Sequence, residues 1–242
     1  MNQQWADYRI FWREFRQTFE STGAILPSGR ALSKALCRYV REGEHEGTAE
    51  RRILEVGPGT GAVTGRIARD MRGADRLVLV ERNAQFVERL RDRLANDPQF
   101  SDVAGRTKLV HAGVEELPDH EPFDLIVSGL PLNNFSVPLV DTLLTKLRRL
   151  LAPEGTLSFF EYVAIRSVKA AVSRKSERER LRTIGQRLGE VLQEGEIHRD
   201  CVLTNTPPAW VHHVRFPAGG REQGAGSKTS DSVLRAPGSQ HP

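Results

Sequence analysis

The chain has 242 residues, of which 38% are hydrophobic and 27% charged, with a formal net charge of +4 and a pI of about 9.3. That length suits one α/β domain with extensions, while no apolar run approaches the ~18 residues that span a bilayer and no apolar leader segment follows the N-terminus. Cys37 and Cys201 have neither a metal spacing nor a disulfide framework, which favours a reducing cytosol, and the positive charge favours nucleic acid or acidic lipid as partner.

Residues 1–22 predict an amphipathic helix with an aromatic face. At ~100° per residue, six aromatic side chains fall within one arc of ~120°. They are Trp5, Tyr8, Phe11, Trp12, Phe15 and Phe19. Because tryptophan and tyrosine favour a membrane–water interface and arginines flank the stripe, we expect this helix to lie on an anionic bilayer. The alternative is a helix that docks on the core or on another subunit.

Alternating strands and helices follow this segment. Residues 22–28 predict a turn, and Ser28 or Ser33 is placed to cap a helix through about residue 41, before a polar loop at 42–50. The predicted strands are 52–56, 76–81, 107–111, 123–128 and 155–163, and the predicted helices are 61–71, 83–95 and 137–151. This alternation predicts a parallel sheet with right-handed crossovers. Two late apolar runs, 200–205 and 209–216, predict an antiparallel pair that closes the sheet.

A basic insert at about residues 165–194 separates the fifth strand from this pair. Its central part holds eight basic side chains against Glu177 and Glu179. One interpretation is a solvated helical face, the usual role of a charge run. The other is a cationic rim beside the active site, because the insert follows the carboxyl end of a strand. Residues 217–242 have too little apolar content to fold and predict a disordered tail.

The sequence ILEVGPGTG at residues 53–61 ends an apolar run in an acid and then places glycine at alternate positions. Gly57 permits a sharp exit from a strand, while Gly59 and Gly61 remove Cβ atoms where a ligand must lie against the backbone. The helix that follows presents free N–H groups to that ligand. The spacing satisfies the dinucleotide fingerprint. However, Glu55 and the third glycine favour S-adenosylmethionine, which carries an ammonium and a sulfonium instead of a phosphate.

Glu81 closes the next apolar run and is placed to accept hydrogen bonds from both hydroxyls of a ribose. NAD sites share this role, so it does not distinguish the two ligands. The candidate cofactor-binding residues are Glu55, Gly57, Gly59, Thr60, Gly61, Glu81, Arg82, Gly113, Val114 and Ser128.

The segment FDLIVSGLPLNNF at residues 123–135 predicts a buried strand that breaks at a Ser-Gly pair. At the end of such a strand, backbone carbonyl groups can accept hydrogen bonds from an incoming amine. Methyl transfer needs the nitrogen lone pair in line with the S–CH3 bond, so positioning is a large share of catalysis. We therefore predict Gly129, Leu130 and Pro131 as residues of the reacting centre.

Three motifs together resemble those of the bacterial phospholipid N-methyltransferases: TGAILPS at 22–28, LEVGPGTG at 54–61 and SGLPLNNF at 128–135. NTPPAW at 205–210 is similar to a further motif of that family. The resemblance covers about residues 20–216 and implies a Rossmann-like, seven-stranded class I methyltransferase sheet with an antiparallel last strand and helices on both faces. It also implies a cytoplasmic enzyme, peripheral on the inner face of the membrane. Such an enzyme methylates the amine of phosphatidylethanolamine, or of a relative such as an ornithine lipid, with S-adenosylmethionine as cofactor.

The ribosomal RNA adenine dimethyltransferases have nearly the same glycine motif. They carry Asn-Leu-Pro-Tyr at the fourth strand, where the Asn binds the base amine and the Tyr stacks on the extruded base. Here residues 129–132 read GLPL, which counts against nucleic acid; an RNA or small-molecule methyltransferase stays the alternative. Both families usually show Gly-Asp-Ala after the third strand, whereas residues 112–114 read Ala-Gly-Val. Backbone groups at 113–114 or the Glu115 side chain would then hold the adenine.

The acceptor amine must lose a proton before it attacks, because an alkylammonium has a pKa of about 10 in water. Desolvation and the nearby sulfonium lower that pKa, so a dedicated base is not required. Glu161, Tyr162 and Tyr39 are candidates for accepting the proton or holding the cation, Tyr162 through its aromatic face. His212 and His213 are predicted to be a surface and a core residue. We expect no metal ion, and the sequence leaves the oligomeric state open.

Overall fold

A computed structural model describes residues 27–42, 50–162, 175–205 and 208–217. The predicted amphipathic helix at 1–22, most of the predicted tail and the first part of the basic insert lie outside these residues. The helices are α1 (Pro27–Leu36), α2 (Arg38–Glu42), α3 (Ala62–Asp70), α4 (Ala84–Asn96), α5 (Val137–Leu150) and α6 (Lys175–Gly195). The strands are β1 (Arg52–Val56), β2 (Arg76–Glu81), β3 (Thr107–His111), β4 (Phe123–Ser128), β5 (Leu151–Tyr162), β6 (Glu196–Val202) and β7 (Ala209–Val214). Short 3-10 helices lie at Pro98–Phe100, Ala104–Arg106, Val114–Glu116 and Leu132–Asn134.

The strands form one seven-stranded sheet in the order β3-β2-β1-β4-β5-β7-β6. Strands β1 to β5 are parallel, and β7 runs antiparallel to both of its neighbours. A parallel sheet is covered on both faces, which explains why its central strands read as nearly continuous apolar runs. The predicted class I methyltransferase sheet with an antiparallel last strand is therefore confirmed.

Each face of the sheet has its own apolar core. On one face, Leu54, Ile126 and Phe159 pack in the cluster that contains the buried leucines of α5 together with Ile184 and Leu188 of α6. On the other face, Ile53 and Leu79 pack in the cluster that contains buried residues of α1, α2 and α3. Neighbouring residues of β1 thus point to opposite cores, as the two-residue period of a strand requires. No helix in the described ranges combines the length and apolar composition needed to cross a bilayer.

The strand register brings the predicted site residues to one edge of the sheet. Val56 at the end of β1 pairs with Ser128 at the end of β4, and Ser128 pairs with Phe159 of β5. Ligands of open α/β sheets bind at the carboxyl ends of the strands. We call this edge, where β1 to β4 end, the carboxyl edge. β5 continues three residues beyond its pairing with Ser128, to Tyr162, and β6 also ends at this edge.

Three predicted boundaries are wrong. β5 begins at Leu151 instead of 155, because Leu151 pairs with Phe123 across a register shift and Glu154 takes a left-handed φ of 59° within the strand. β6 spans Glu196–Val202 instead of 200–205, since this edge strand is mostly polar and lacks an apolar run. The predicted helix through residue 41 is divided at Cys37 into α1 and α2.

Candidate functional site

The glycine loop after β1 depends on backbone conformations that other residues rarely adopt. Gly57, Gly59 and Gly61 have φ values of 68°, 56° and 82°. Left-handed φ costs an L-residue roughly 1–2 kcal/mol, so glycine relieves strain at each position. The loop is held by Gly57 N, which donates to Val80 O at 3.0 Å, and by Gly61 N, which donates to Pro58 O at 2.9 Å.

The three glycines differ in the space around them. A Cβ at Gly57 would lie 2.7 Å from Leu130 Cδ2, and one at Gly61 would lie 2.7 Å from Arg93 Nη1. A Cβ at Gly59 would meet no heavy atom within 4 Å. Gly57 and Gly61 therefore allow close packing of the protein itself, whereas Gly59 lines open space where a ligand can lie. Thr60 lies in the same loop, and its carbonyl accepts from Arg93 Nη1 at 2.8 Å.

Glu81 joins the glycine loop to the end of β2. Its Oε2 accepts from Gly59 N at 3.1 Å and its Oε1 accepts from Asn83 N at 2.8 Å. Burial raises the pKa of this carboxyl, and the backbone donors of Asn83 and Gly59 oppose the shift. Each carboxylate oxygen can accept more than one hydrogen bond, so the group can still accept from a ribose. The predicted position of Glu81 beside the cradle agrees with these contacts.

Glu55 is a buried carboxyl whose oxygens make no hydrogen bond among the described residues. Burial raises its pKa to about 8; Thr64 lies close enough to oppose the shift, and the charge of Glu81 adds to it. Its side chain lies on the sheet face of Ile53, near Cys37, whose pKa burial and Glu55 both raise. The predicted role of Glu55, to face the positive charge of a methyl donor, stays a prediction.

A pocket opens beside the glycine loop at the ends of β1, β2 and β3. Its walls are Val56, Gly57, Val80, Arg82, Ala112, Gly113, Val114, Glu115, Leu130, Leu139 and Leu143. The predicted residues Gly57, Arg82, Gly113 and Val114 are thus brought together. The pocket's position next to Glu81 and its largely apolar lining make it the candidate position for the adenosine group of a methyl donor.

An ion pair borders this pocket at the turn that follows β3. Arg82 pairs with Glu115, and the Glu115 carboxylate lies directly against Gly113. Gly113 N donates to Glu116 Oε1 at 2.8 Å. Glu115 therefore occupies the pocket wall, as the sequence-based alternative for the adenine contact requires.

The end of β4 packs tightly against the end of β1. Gly129 N donates to Val56 O at 2.8 Å, and a Cβ at Gly129 would lie 2.8 Å from Gly57 O. Ser128 is fully buried, and its Oγ accepts from Leu130 N at 3.4 Å. No side chain fits at position 129 without displacing the glycine loop. Leu130 therefore contributes its side chain to the pocket wall, and Pro131 begins the turn that follows.

Arg180 of α6 holds the loop after β4, a contact that the sequence did not reveal. It donates to Asn133 O at 3.1 Å and to Phe135 O, and it pairs with Glu177 at 2.7 Å. Asn133 itself is buried, and its Oδ1 has no partner among the described residues. The basic composition of the insert indicates that this helix has a role, but nothing in the sequence distinguishes Arg180 from the neighbouring arginines.

The remaining catalytic candidates lie on β5, beyond the residue that pairs with the end of β4. Glu161 is buried, with an exposed fraction of 7%, and lies opposite Trp210 in the register. Tyr162 contacts Phe160 edge to face at 5.0 Å, and burial raises the pKa of its hydroxyl. Strand alternation puts Glu161 and Tyr162 on opposite faces of the sheet. Neither residue lines the adenosine-type pocket.

A largely buried polar network connects the antiparallel end of the sheet to α2. His213 hydrogen-bonds Ser158 Oγ at 2.8 Å through Nδ1 and Asp200 at 3.2 Å through Nε2. Arg38 Nε donates to Asp200 at 2.8 Å. The predicted surface position of His212 is wrong, because it is 3% exposed and hydrogen-bonds Glu196 at 2.6 Å. Tyr39, another predicted candidate, packs on the His213 ring at 5.0 Å, away from the pocket lining.

Comparisons with known proteins agree with this geometry. The family model described as "Methyltransferase domain" matches residues 53–155. An ornithine lipid N-methyltransferase of Singulisphaera acidiphila is 29% identical over 157 residues, which cover 63% of this chain and 76% of that protein. A ribosomal RNA small subunit methyltransferase A of Parasynechococcus marenigrum is 37% identical over 106 residues, but these cover 42% of this chain and 32% of that protein.

A solved structure shares the fold. The N-methyltransferase NodS from Bradyrhizobium japonicum, in complex with S-adenosyl-L-homocysteine, superposes with a TM-score of 0.56 at 18% identity, covering 80% of this chain and 90% of that one. The sheet, the glycine cradle and the matching domain together identify the chain as an S-adenosylmethionine-dependent methyltransferase. Within the described part of the chain, no group of three or more His, Cys, Asp or Glu residues could hold a metal ion.

Proposed function

We propose that this methyltransferase transfers methyl groups to the primary amine of a membrane lipid, of the phosphatidylethanolamine type or an ornithine lipid. The observation that carries the proposal is the contact between Gly129 and Gly57. Because a Cβ at position 129 would lie 2.8 Å from Gly57 O, the acceptor side of the site offers backbone in place of a recognition side chain. To be bound, a small primary amine needs little more than backbone carbonyl groups that accept its hydrogen bonds and an apolar environment.

The same segment does not suit a nucleobase. Enzymes that methylate an extruded base hold it by hydrogen bonds and by stacking on an aromatic or apolar surface. Leu132, which stands where the RNA enzymes carry tyrosine, is 1% exposed and packs in the core with Leu130 and Phe135. It is therefore not available to stack on a base.

Of these two relatives, the ornithine lipid N-methyltransferase is aligned with this chain over the larger share of its own length. Its 157 aligned residues cover 76% of that protein, whereas the ribosomal RNA enzyme is covered over 32%. The second alignment is about as long as a glycine cradle with its neighbouring strands, which any acceptor class can share. These proportions support a lipid amine over RNA.

The chemistry requires little of the side chains. S-Adenosylmethionine supplies a methyl group on a positively charged sulfur, and transfer forms an N–CH3 bond as the S–CH3 bond breaks. Gly59 and Glu81 would hold this donor in place, in a loop whose left-handed turns depend on Gly57 and Gly61. The buried Leu130 keeps water from the carboxyl edge, and desolvation lowers the pKa of the acceptor ammonium so that it releases its proton.

Two candidates have restricted roles in this proposal. Tyr162 keeps its proton at neutral pH, because burial raises its pKa, so it would hold a growing methylammonium by its ring and not act as a base. Glu161 is the candidate proton acceptor at the end of β5. We place the enzyme in the cytoplasm, peripheral on the inner face of the membrane, with the aromatic stripe of residues 1–22 as its anchor.

The proposal is tested by following label from S-adenosylmethionine into separate acceptors. Anionic vesicles that contain phosphatidylethanolamine or ornithine lipid are compared with ribosomal RNA, and the Gly59→Val variant is the inactive control. We expect label in lipid, with methylated headgroups identified by mass spectrometry. Label found only in RNA would reject the lipid acceptor and establish the alternative function.

A further inference from the structure

The turn between β6 and β7 carries the most exposed large hydrophobic side chain of the described residues. Leu203 is 73% exposed, and Ile197 at 42% is the other large hydrophobic side chain that is exposed in the described ranges. Single exposed apolar residues are common on protein surfaces, so the position of Leu203 decides its meaning.

The strand register places Leu203 at the carboxyl edge. Tyr162 at the end of β5 pairs with Ala209 of β7, and Ala209 pairs with Val202 of β6. Leu203 follows Val202 directly. Because β5 extends three residues beyond the end of β4, this hairpin extends ~10 Å farther than the strand end that holds Gly129.

Residues 203–205 form the described start of the turn, where Leu203 faces solvent. Asn205 is buried, and its backbone N donates to Val202 O at 3.4 Å. Behind the turn, the Arg199 guanidinium lies 4.8 Å from the ring of Trp210, a half-buried tryptophan on the paired strand. An exposed leucine at the start of the turn, with an arginine and a tryptophan on the strands behind it, is the composition of a surface that enters the headgroup region of a bilayer.

Basic side chains also lie at the carboxyl edge. The first half of α6 lies beside the loop after β4, because Arg180 donates to Asn133 O and Phe135 O, and the exposed residues Arg178 and Arg182 are in the same part of the helix. Anionic lipid headgroups attract such side chains. A second copy of the chain suits this turn less well, because a stable interface buries roughly 1,200 Å² or more and one leucine supplies a small part of that area.

We infer that the Leu203 turn is a membrane-contact site that inserts into an anionic bilayer and turns the carboxyl edge toward the lipid headgroups. This inference rests on the proposed lipid acceptor, and it adds a second contact to the predicted helix at residues 1–22. The acceptor amine then reaches the end of β4 without leaving the membrane surface.

The test compares two exposed residues at opposite ends of the same strand. Full-length Leu203→Ser and the matched control Ile197→Ser are sedimented with vesicles of phosphatidylglycerol and phosphatidylethanolamine. Leu203→Ser is expected to lower the partition coefficient about tenfold, and Ile197→Ser to change it less than twofold. Leu203→Trp should restore binding or strengthen it. An unchanged partition of Leu203→Ser, or an equal loss in both serine variants, overturns the inference.

Two further measurements separate the possible failures. Sedimentation needs no methyl transfer, so the contact site is tested even if no lipid is methylated and the proposed function fails. Methylation of a short-chain lipid amine below its micelle concentration should be equal in wild type and Leu203→Ser. If the mass in solution falls in Leu203→Ser while vesicle binding stays unchanged, the turn contacts a second copy and the membrane site is rejected.

Discussion

The donor half of the site, at β1 to β3, and the acceptor half, at β4 to β7, are held together in different ways. In the donor half, positive-φ glycines and one acid set the shape through backbone atoms a few residues apart or on the next strand. In the acceptor half, Arg180 reaches back 45 and 47 residues to hold the loop after β4, and His213 joins Ser158 to Asp200. In the proposed site, donor binding would thus depend on local conformation, and acceptor positioning on distant side chains.

The largest expected effect comes from filling the donor cradle. Gly59→Val places a side chain in space that holds no protein atom within 4 Å, so it should exclude the ligand. We expect the affinity for S-adenosylhomocysteine, measured by calorimetry, to fall roughly 100-fold, because overpacking a site costs ~1–3 kcal/mol and ligand contacts are lost as well. Gly59→Ala, which carries the same left-handed strain with less volume, should lose less.

A surface glycine is the control for that experiment. Gly73 is exposed and also has no neighbour within 4 Å, so Gly73→Val should leave both affinity and thermal stability near wild type. If Gly59→Val binds the ligand within twofold of wild type while it stays folded, the cradle is not where the donor lies.

The contrast between local contacts in the donor half and distant contacts in the acceptor half also explains which features could be predicted from the sequence. The glycine spacing, Glu55 and Glu81 are local signals, and the strands that carry them were predicted within a residue. β6 reads EIHRDCV, and an edge strand without an apolar face gives no clear period, so its bounds were predicted four residues late at the start. The clamp of Arg180 could not be predicted, because only the folded chain brings it to the backbone of residues 133 and 135.

The acceptor half is tested next, through Arg180. Arg180→Ala removes two donors to the loop after β4, each a charge-assisted hydrogen bond of a partly exposed group. We expect kcat for the lipid amine to fall about tenfold, since such bonds contribute ~1.5–3 kcal/mol each when buried and less when exposed. Donor affinity should stay within twofold of wild type.

Arg89→Ala, at an exposed position on α4, is the charge-matched control and should keep full activity. Steady-state kinetics and calorimetry on both variants separate the two halves of the site. If Arg180→Ala lowers the donor affinity by the same factor as kcat, the donor half and the acceptor half of the site are not independent.

Each half also contains a buried titratable group, and burial shifts the pKa values of the two groups in opposite directions. Burial raises the pKa of Glu55 in the donor half from 4.5 to about 8, so its contribution to stability is present below pH 4.5 and is lost as pH rises toward 8. Burial lowers the pKa of His213 in the acceptor half from 6.5 to about 4, against the opposing effect of Asp200. The contribution of His213 is therefore present above pH 6.5 and is lost as pH falls toward 4.

The free energy of unfolding of the ligand-free protein, measured by urea denaturation between pH 4 and 9, should show both limbs. Glu55→Gln should flatten the alkaline limb and leave the variant more stable than wild type at pH 8 by a few kcal/mol, at ~1.4 kcal/mol for each pKa unit. His213→Gln should flatten the acid limb by a smaller amount, because the pKa shift of His213 is smaller. The variant also loses two hydrogen bonds, which should lower its stability at every pH. A wild-type alkaline limb that persists in Glu55→Gln would mean that Glu55 is already ionised in the free enzyme. The donor half would then hold a fixed negative charge before the positively charged ligand arrives, and the ligand would not need to draw a proton from Glu55 on binding.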